Sequence, residues 1–174
     1  MKSKLLLFII ILISITTNAQ VIFEKGYFIN NNNQKTECLI KNFDWRKNPT
    51  DFKYKLSQND LAKVATITTV QEFGVYNYSK YIRVSTKIDR STTDINELDY
   101  NRNPNWSEET LFLKVLSEGP ASLYNYLDNR NEKFFFNTNN GTIEQLVYKE
   151  YKKNNTAVIE NNQYKQQLLN NVNC

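Results

Sequence analysis

The chain has 174 residues and no histidine, which removes the base that most nucleophilic enzyme sites use. Ser-His-Asp and Cys-His systems are therefore excluded. Two cysteines alone cannot supply the four ligands of a structural zinc site. The four glycines form no phosphate-binding motif. We expect a protein that is not an enzyme, with no catalytic residue, no metal site and no cofactor.

Cys38 and Cys174 offer the one remaining covalent possibility. In an oxidising compartment, a Cys38–Cys174 disulfide would close a loop of about 135 residues and stabilise the fold by ~4 to 5 kcal/mol in the chain-entropy model. The alternative is a buried free thiol, since Thr36, Cys38 and Ile40 share one face of a predicted strand. Cys174 would then be a frayed terminus. The sequence leaves both alternatives open.

Trp45 and Trp106 are the candidate binding residues. Each lies in a polar segment that also contains a proline, Pro49 and Pro104 respectively. An exposed tryptophan could stack on a sugar ring or anchor a partner protein, because it combines a large contact area with a polar edge. The alternative is that both rings cap the ends of a sheet. If they bind, we expect the partner to be a glycan or another protein of the cell envelope.

A third set of candidates is rich in side-chain oxygen atoms and lies between two predicted strands. Its members are Asp89, Asp94, Asn96, Glu97, Asp99, Glu108 and Glu109. The spacing fails the calcium-loop pattern, because Leu98 stands where an oxygen ligand is expected and no glycine follows it. A carboxylate-dependent hydrolase would need two acids about 5 to 9.5 Å apart across a cleft. We expect a mobile, solvated loop that holds no metal.

The first nineteen residues are typical of a secretory signal peptide. Lys2 and Lys4 precede an apolar run over residues 5–15, and small residues at Thr17 and Ala19 precede the expected cleavage point. The alternative is an uncleaved membrane anchor, but a bilayer core requires roughly 20 apolar residues and this run is much shorter. We therefore expect an exported protein that is periplasmic, associated with the outer membrane or extracellular.

The exported part, residues 20–174, is expected to be a single β-rich domain without a transmembrane segment. About 155 residues suffice for one core. Its formal charge is +2, because the whole chain has 22 basic and 18 acidic residues and the signal peptide contains two of the lysines. Nucleic-acid binding requires clustered basic residues. The nearest cluster, Lys149, Lys152 and Lys153, alternates with Glu150, so we exclude nucleic acid as a partner.

Apolar residues alternate with polar ones through most of the exported part, which predicts a mainly β fold. We expect an antiparallel meander or a partly closed barrel. An Asn-rich turn over residues 30–34 predicts a hairpin, and a β-branched run from Val64 to Val70 predicts one strand that continues toward Phe73. Residues 142–152 fit either a strand or a helix, and we favour a hairpin that extends through Ile159. A short C-terminal helix capped by Asn161 or Asn162 completes the fold.

Several packing and turn motifs of the chain resemble a family of secreted, β-rich proteins of unknown function from Bacteroidetes. They are Gly26–Ile29, Asn42–Pro49, Glu72–Val75, Phe112–Leu116 with Gly119, Leu123–Tyr124 and Leu146–Lys149. The resemblance implies export into a Gram-negative envelope and supplies no active site. Some members of that family carry the region ahead of an outer-membrane β-barrel.

Three functions from different classes follow from these observations. The first is a non-catalytic envelope domain that binds or scaffolds another protein through a sheet edge or the tryptophan loops. The second is a carbohydrate- or small-ligand-binding module, which requires Trp45 and Trp106 to be exposed together on one side. The third is a carboxylate-dependent hydrolase. The sequence favours the first.

Overall fold

The computed structural model describes residues 22–43, 45, 47–128, 131–139, 141–155 and 157–172. The predicted signal peptide over residues 1–19 and its cleavage point lie outside these residues. The described part of the chain forms twelve strands and one helix. The strands are β1 (Phe23–Asn30), β2 (Lys35–Lys41), β3 (Asp51–Lys55), β4 (Lys63–Thr66), β5 (Val70–Val75), β6 (Ser79–Asp89), β7 (Trp106–Ser117), β8 (Ala121–Asp128), β9 (Asn131–Thr138), β10 (Glu144–Gln145), β11 (Lys149–Lys152) and β12 (Val158–Asn161). The helix, α1, spans Gln163–Asn171.

Ten strands form one antiparallel sheet in the order β10-β9-β8-β7-β6-β5-β1-β2-β3-β4, and β11 pairs with β12 in a separate hairpin. The large sheet curls into a half-barrel, which confirms the predicted mainly β class with one short C-terminal helix. One connection departs from a simple meander. Strand β5 follows β4 in the chain but pairs with β1.

The connection between β4 and β5 explains the curl. Only residues 67–69 join the two strands, so the Cα atoms of Thr66 and Val70 lie at most ~14 Å apart. A flat sheet would separate β4 from β5 by four strand spacings, or ~19 Å in total. The chain can meet both requirements only if β1 to β5 curve around a common core.

Two glycines allow β1 and β5 to approach closely within this curve. A Cβ atom added to Gly26 would lie 2.3 Å from the carbonyl oxygen of Gly74 and 3.1 Å from the side chain of Ile40. A Cβ atom added to Gly74 would lie 2.9 Å from the carbonyl oxygen of Ser79. A larger residue at Gly26 would therefore push β1 away from β5, and a larger residue at Gly74 would push β5 away from β6.

The prediction of one strand from Val64 through Val70 is wrong, because a turn over residues 67–69 divides it into β4 and β5. Threonine side chains stabilise this turn. Both the amide and the hydroxyl of Thr69 donate to the carbonyl oxygen of Thr66, at 3.0 and 3.1 Å, and the Thr66 amide donates to the Thr69 hydroxyl at 3.1 Å. These local bonds compete with a continuous strand even though the residues are β-branched.

Two apolar cores lie on opposite faces of the sheet, and alternate residues of the central strands enter each. In β7, Phe112 belongs to the first core, whereas Leu111 and Leu113 belong to the second. The same period of two places Tyr81 of β6 in the first core and Ile82 in the second. The middle of the sheet is therefore buried on both faces.

The C-terminal third confirms the favoured interpretation of residues 142–152. Strands β11 and β12 form the expected hairpin, with the register Lys149↔Asn161 to Lys152↔Val158. Helix α1 follows, and its N-cap is Asn162, which makes no side-chain capping hydrogen bond. The side-chain oxygen of the preceding residue, Asn161, accepts from the Gln163 amide at 3.2 Å. Within the described part of the chain, no helix is long and apolar enough to cross a membrane.

Candidate functional site

Trp106 is the first residue of β7, where it pairs with Asp89 at the end of β6, and its side chain is 44% exposed. It lines an open groove of about 430 Å³ between the β6–β7 ladder, the segment around β10, and α1. The lining residues are Ser85, Thr86, Lys87, Trp106, Glu108, Thr142, Ile143, Glu144, Gln145, Val147, Gln163 and Gln167. We call this feature the Trp106 groove.

Hydrogen bonds between β6 and the β10 segment form the floor of the Trp106 groove. The Thr86 hydroxyl donates to the carbonyl oxygen of Ile143 at 2.9 Å. The backbone amide of Asp89 donates to the side-chain oxygen of Gln145 at 2.8 Å, and Gln145 is almost completely buried. The sheet therefore folds back, so that β10 packs on β6 while it pairs with β9.

Gln167 attaches the helix that forms the other wall. Its Oε1 accepts from the Val147 amide at 2.8 Å, and its Nε2 donates to the carbonyl oxygen of Gln145 at 3.0 Å. The Tyr164 amide also donates to the carbonyl oxygen of Val147, at 2.9 Å. A helix of nine residues is too short to persist alone in water, so these contacts determine its position.

The lining of the Trp106 groove combines one exposed indole ring with hydroxyl, amide and charged groups. Ser85, Thr86 and Thr142 contribute hydroxyls, and glutamines contribute amides that can both donate and accept. Two acids and one base, Glu108, Glu144 and Lys87, leave the lining with one net negative charge. Such a surface can stack a ring and hydrogen-bond to a neutral polar ligand.

A larger depression of about 630 Å³ lies on another side of α1, but its chemistry is different. Polar and charged side chains line it, Leu169 is its only apolar contribution, and it contains no aromatic ring. A ligand there would gain little from apolar burial. The Trp106 groove is therefore the stronger candidate for ligand binding.

The second predicted binding residue, Trp45, is in a different environment. Its ring packs edge-on against Phe73 and Tyr81 of the first core, with ring centroids 5.7 and 5.5 Å apart. The side chain is only partly exposed. Trp45 therefore has the structural role that we considered as the alternative, and the two tryptophans do not form one exposed platform.

Cys38 is a buried free thiol on β2. Burial raises the pKa of this thiol to about 12, with a smaller contribution from the charge of Glu37. The thiol is therefore protonated at neutral pH and is a poor nucleophile. Cys174, the other member of the predicted pair, lies outside the described residues.

Two of the acidic candidates between positions 89 and 109, Asp89 and Glu109, bind neighbouring segments. Oδ1 of the buried Asp89 accepts from the Ser91 amide, the Ser91 hydroxyl and the Asn105 amide, at 2.9, 2.6 and 2.8 Å. It thereby joins the two ends of the loop. Glu109 accepts two hydrogen bonds from Arg90, which lower the pKa of its carboxyl group.

The middle of this loop packs against the β11–β12 hairpin. Lys149 is buried, and its Nζ donates to Oδ2 of Asp99 at 3.1 Å and to the carbonyl oxygen of Asn103 at 2.9 Å. The Asn161 side chain donates to the carbonyl oxygen of Arg102 at 3.0 Å. The loop is thus bonded to a second element, while most of its residues are exposed to solvent. Among the described residues, no group of three potential metal ligands is present.

Lys133, which lies on β9 next to Asp89, was not among the candidates predicted from the sequence. Its Nζ is 4.0 Å from Oδ2 of Asp89, and only 12% of its side chain is exposed. Burial lowers the pKa of this ammonium group, although the Asp89 charge opposes the shift. The sequence contained one indication that Lys133 is buried. Lys133 shares a strand face with Phe135, and Phe135 is completely buried.

No family model, curated protein or solved structure matches the chain.

Proposed function

We propose that the chain is an exported, non-catalytic binding domain of a bacterial cell envelope, and that its ligand is a glycan segment bound in the Trp106 groove. The observation that supports this proposal is the position of Trp106, a partly exposed indole at the side of a groove rich in hydroxyl and amide groups. Export rests on the sequence of residues 1–19.

The chemistry of a sugar ring fits this groove. One face of a pyranose presents C–H groups that stack on an indole, and the rim presents hydroxyls that both donate and accept. The amides of Gln163 and the hydroxyls of Ser85 and Thr142 are able to pair with such hydroxyls. The net negative charge of the lining, from Glu108 and Glu144 against Lys87, disfavours a phosphate or a polyanion.

A protein partner that adds a strand to the sheet fits less well. The terminal strand β4 has only four residues and begins with Lys63. Short edge strands and edge lysines are features that natural sheets use against strand addition. The other terminal strand, β10, packs on β6 through Thr86. The groove is therefore a better binding site than either sheet edge.

Saturation-transfer NMR with soluble oligosaccharides tests the glycan site, with chito-, cello- and manno-oligosaccharides as probes. We expect saturation transfer to at least one probe and loss of affinity by ~30-fold in Trp106→Ala, because a desolvated aromatic anchor commonly contributes ~2 kcal/mol. Phe43→Ala is the matched control, since Phe43 is 48% exposed and lies outside the groove. Absence of transfer to every probe, or an equal loss in Phe43→Ala, would contradict the proposal.

Two further measurements test the other parts of the proposal. Intact-mass analysis of protein from the envelope fraction should give a chain that begins at Gln20, and a mass that includes residues 1–19 would contradict export by cleavage. The same oligosaccharides should be recovered intact after long incubation. Turnover that disappears when Glu108 or Glu144 is replaced would contradict a non-catalytic role.

A further inference from the structure

Strand β6 extends well beyond the strand that pairs with it on one side. It pairs with β7 over Tyr81–Asp89, but with β5 only over Ser79–Ile82. Beyond that point, the β10 segment lies on the β5 side of β6 and is joined to it by hydrogen bonds of side chains. Among the described strands, β10 forms no ladder with β6. We call the gap between residues 85–89 and 142–145, at the floor of the Trp106 groove, the seam.

The peptide groups of alternate β6 residues point into the seam. In an antiparallel ladder, the amide and the carbonyl of one residue point to the same side, and those of the next residue point to the other side. The Arg90 amide donates to the carbonyl oxygen of Asn105, on the β7 side, at 2.8 Å. The Asp89 amide donates to the side chain of Gln145, on the opposite side, at 2.8 Å. Two residues before Asp89, the backbone amide of Lys87 therefore points into the seam as well.

Lys87 lies close to Trp106 along the groove. Trp106 pairs with Asp89, and Lys87 is two residues, or ~7 Å, from Asp89 along β6. Both Lys87 and Trp106 line the groove, and both are exposed. A sugar ring that stacks on the indole can therefore bring one of its ring substituents to the Lys87 amide.

The opposite wall of the groove supplies hydrogen-bond acceptors and an apolar contact. The carboxylate of Glu144 and the side-chain oxygen of Gln163 are acceptors, and both residues are exposed. Ile143 is half-buried and lies next to Glu144. A ligand in the groove thus meets a backbone donor on one wall, and acceptors with an apolar side chain on the other.

We propose that the Trp106 groove recognises the acetamido group of an N-acetylhexosamine, with the Lys87 backbone amide as the donor to its carbonyl oxygen, an inference that rests on the glycan function proposed above. An acetamido group is a secondary amide, and an unpaired strand edge binds the same group when it accepts another strand. In a trans amide the C=O and N–H bonds point in opposite directions. The group can therefore accept from Lys87 and donate to Glu144 or Gln163, while its methyl group contacts Ile143.

Other substituents at the same ring position fit these walls less well. A hydroxyl has no methyl group and cannot reach both walls, because its donor and acceptor are one atom. An ammonium group can only donate, so it would satisfy Glu144 but not the amide of Lys87. The net negative charge of the lining disfavours an acidic sugar.

Three trisaccharides with the same linkage test the inference, because they differ only at the second carbon of each ring. They are the trimers of N-acetylglucosamine, glucosamine and glucose. We expect calorimetry to show that the purified protein binds the acetylated trimer about tenfold more tightly than either of the others, through one added hydrogen bond and the methyl contact. Saturation-transfer NMR should show strong transfer to the acetyl methyl protons.

A pair of variants at one position separates the backbone amide from the side chain. Lys87→Pro removes the amide donor and no bond to β7, and proline is tolerated where a strand edge is unpaired. We expect its preference for the acetylated trimer to fall below about twofold, with unchanged affinity for the glucose trimer. Lys87→Ala is the matched control, since it removes the charge, retains the amide and should retain the preference. Circular dichroism establishes that both variants fold, and the ligand series on the parent protein decides the question if Lys87→Pro does not.

The outcomes distinguish this inference from the glycan proposal itself. Equal affinity for the acetylated and glucose trimers would overturn the inference and leave glycan binding intact. Tightest binding of the glucosamine trimer would also overturn it and assign the preference to the carboxylates of Glu108 and Glu144. Loss of the preference in Lys87→Ala would assign it to the ammonium group. Absence of binding to these trimers and to manno-oligosaccharides would contradict both proposals.

Discussion

Asn48 occupies the position of a missing strand partner for Leu127. The Asn48 amide donates to the carbonyl oxygen of Leu127 at 2.9 Å, and the Leu127 amide donates to Oδ1 of Asn48 at 3.1 Å. The regular β7–β8 pairing ends at Lys114↔Asn125, so Leu127 and Phe112 would have formed a later pair of the same ladder. Nδ2 of Asn48 donates to the carbonyl oxygen of Phe112 at 2.7 Å and completes the bridge between the two strands.

We expect Asn48→Ala to lower the free energy of unfolding by about 2 to 3 kcal/mol. The substitution removes three side-chain hydrogen bonds and leaves partly buried backbone groups of β7 and β8 without partners. Urea denaturation followed by fluorescence measures the effect. Asn32→Ala, in the exposed turn between β1 and β2, is the matched control and should change stability by less than about 0.5 kcal/mol. Equal effects of the two substitutions would contradict the bridge.

A second prediction concerns the thiol of Cys38. In a Cys174→Ser variant, we expect no reaction of native Cys38 with a thiol reagent at mildly alkaline pH, and full reaction after denaturation, because the thiol is buried. In the unmodified chain, a mass lower by two hydrogens and no reactive thiol after denaturation would instead demonstrate the Cys38–Cys174 disulfide. Fast reaction of the native variant would contradict the burial.

The same thiol should make stability depend on alkaline pH. The pKa of the Cys38 thiol is about 12 in the folded chain, against an ordinary value of 9.0. Between these two pH values the thiol ionises in the unfolded chain but stays protonated in the folded chain. Stability is therefore fully present below pH 9.0 and decreases as the pH rises toward 12, by at most ~1.4 kcal/mol per pH unit. Urea denaturation as a function of pH should show a shallower decrease for Cys38→Ala than for the parent. An identical decrease would contradict the assignment.

Asp89 and Lys133 provide a third prediction, because their contributions should be unequal. Asp89→Ala should lower the free energy of unfolding by about 3 kcal/mol or more, since a buried carboxylate oxygen that accepts three hydrogen bonds is lost. Lys133→Met should cost less than Asp89→Ala, because a 4.0 Å contact is too long for a hydrogen bond, so the variant loses only the counter-charge of the buried carboxylate. Chemical denaturation measures the free energy of unfolding of both variants. Equal decreases would mean that the Asp89–Lys133 ion pair stabilises the loop.

Gln167 carries the fourth prediction. Gln167→Ala should remove the two hydrogen bonds that attach α1 to residues 145–147, at a cost of ~1 kcal/mol each, and should reduce the helical signal in far-UV circular dichroism. Gln166→Ala, an exposed neighbour that bonds within the helix to Asn170, is the control. Unchanged helicity in Gln167→Ala would show that other contacts dock α1. If the helix detaches, binding of oligosaccharide in the Trp106 groove should weaken as well.

The sequence by itself determined the features that depend on neighbouring residues. Alternation with period two identified most of the strands, the Asn-rich segment gave the first hairpin, and the polar segment around Asn154 gave the last one. It also determined the absence of histidine chemistry, because that needs only the composition. A local error was the prediction of one continuous strand from Val64 to Val70. It arose because β-branched propensity does not reveal that the Thr69 hydroxyl bonds to the backbone of Thr66 and forms a turn.

Only the tertiary structure decided which distant segments meet. The pairing of β5 with β1, the bridge made by Asn48 and the contact of Lys133 with Asp89 each join residues far apart in the chain, and no local pattern specifies such contacts. The tertiary structure also separated the roles of the two tryptophans. Similar polar segments surround them, but the curl of the first five strands packs Trp45 against Phe73, whereas the return of β10 onto β6 leaves Trp106 at the side of a groove. Exposure depends on the packing of the whole sheet, and the flanking residues do not encode it.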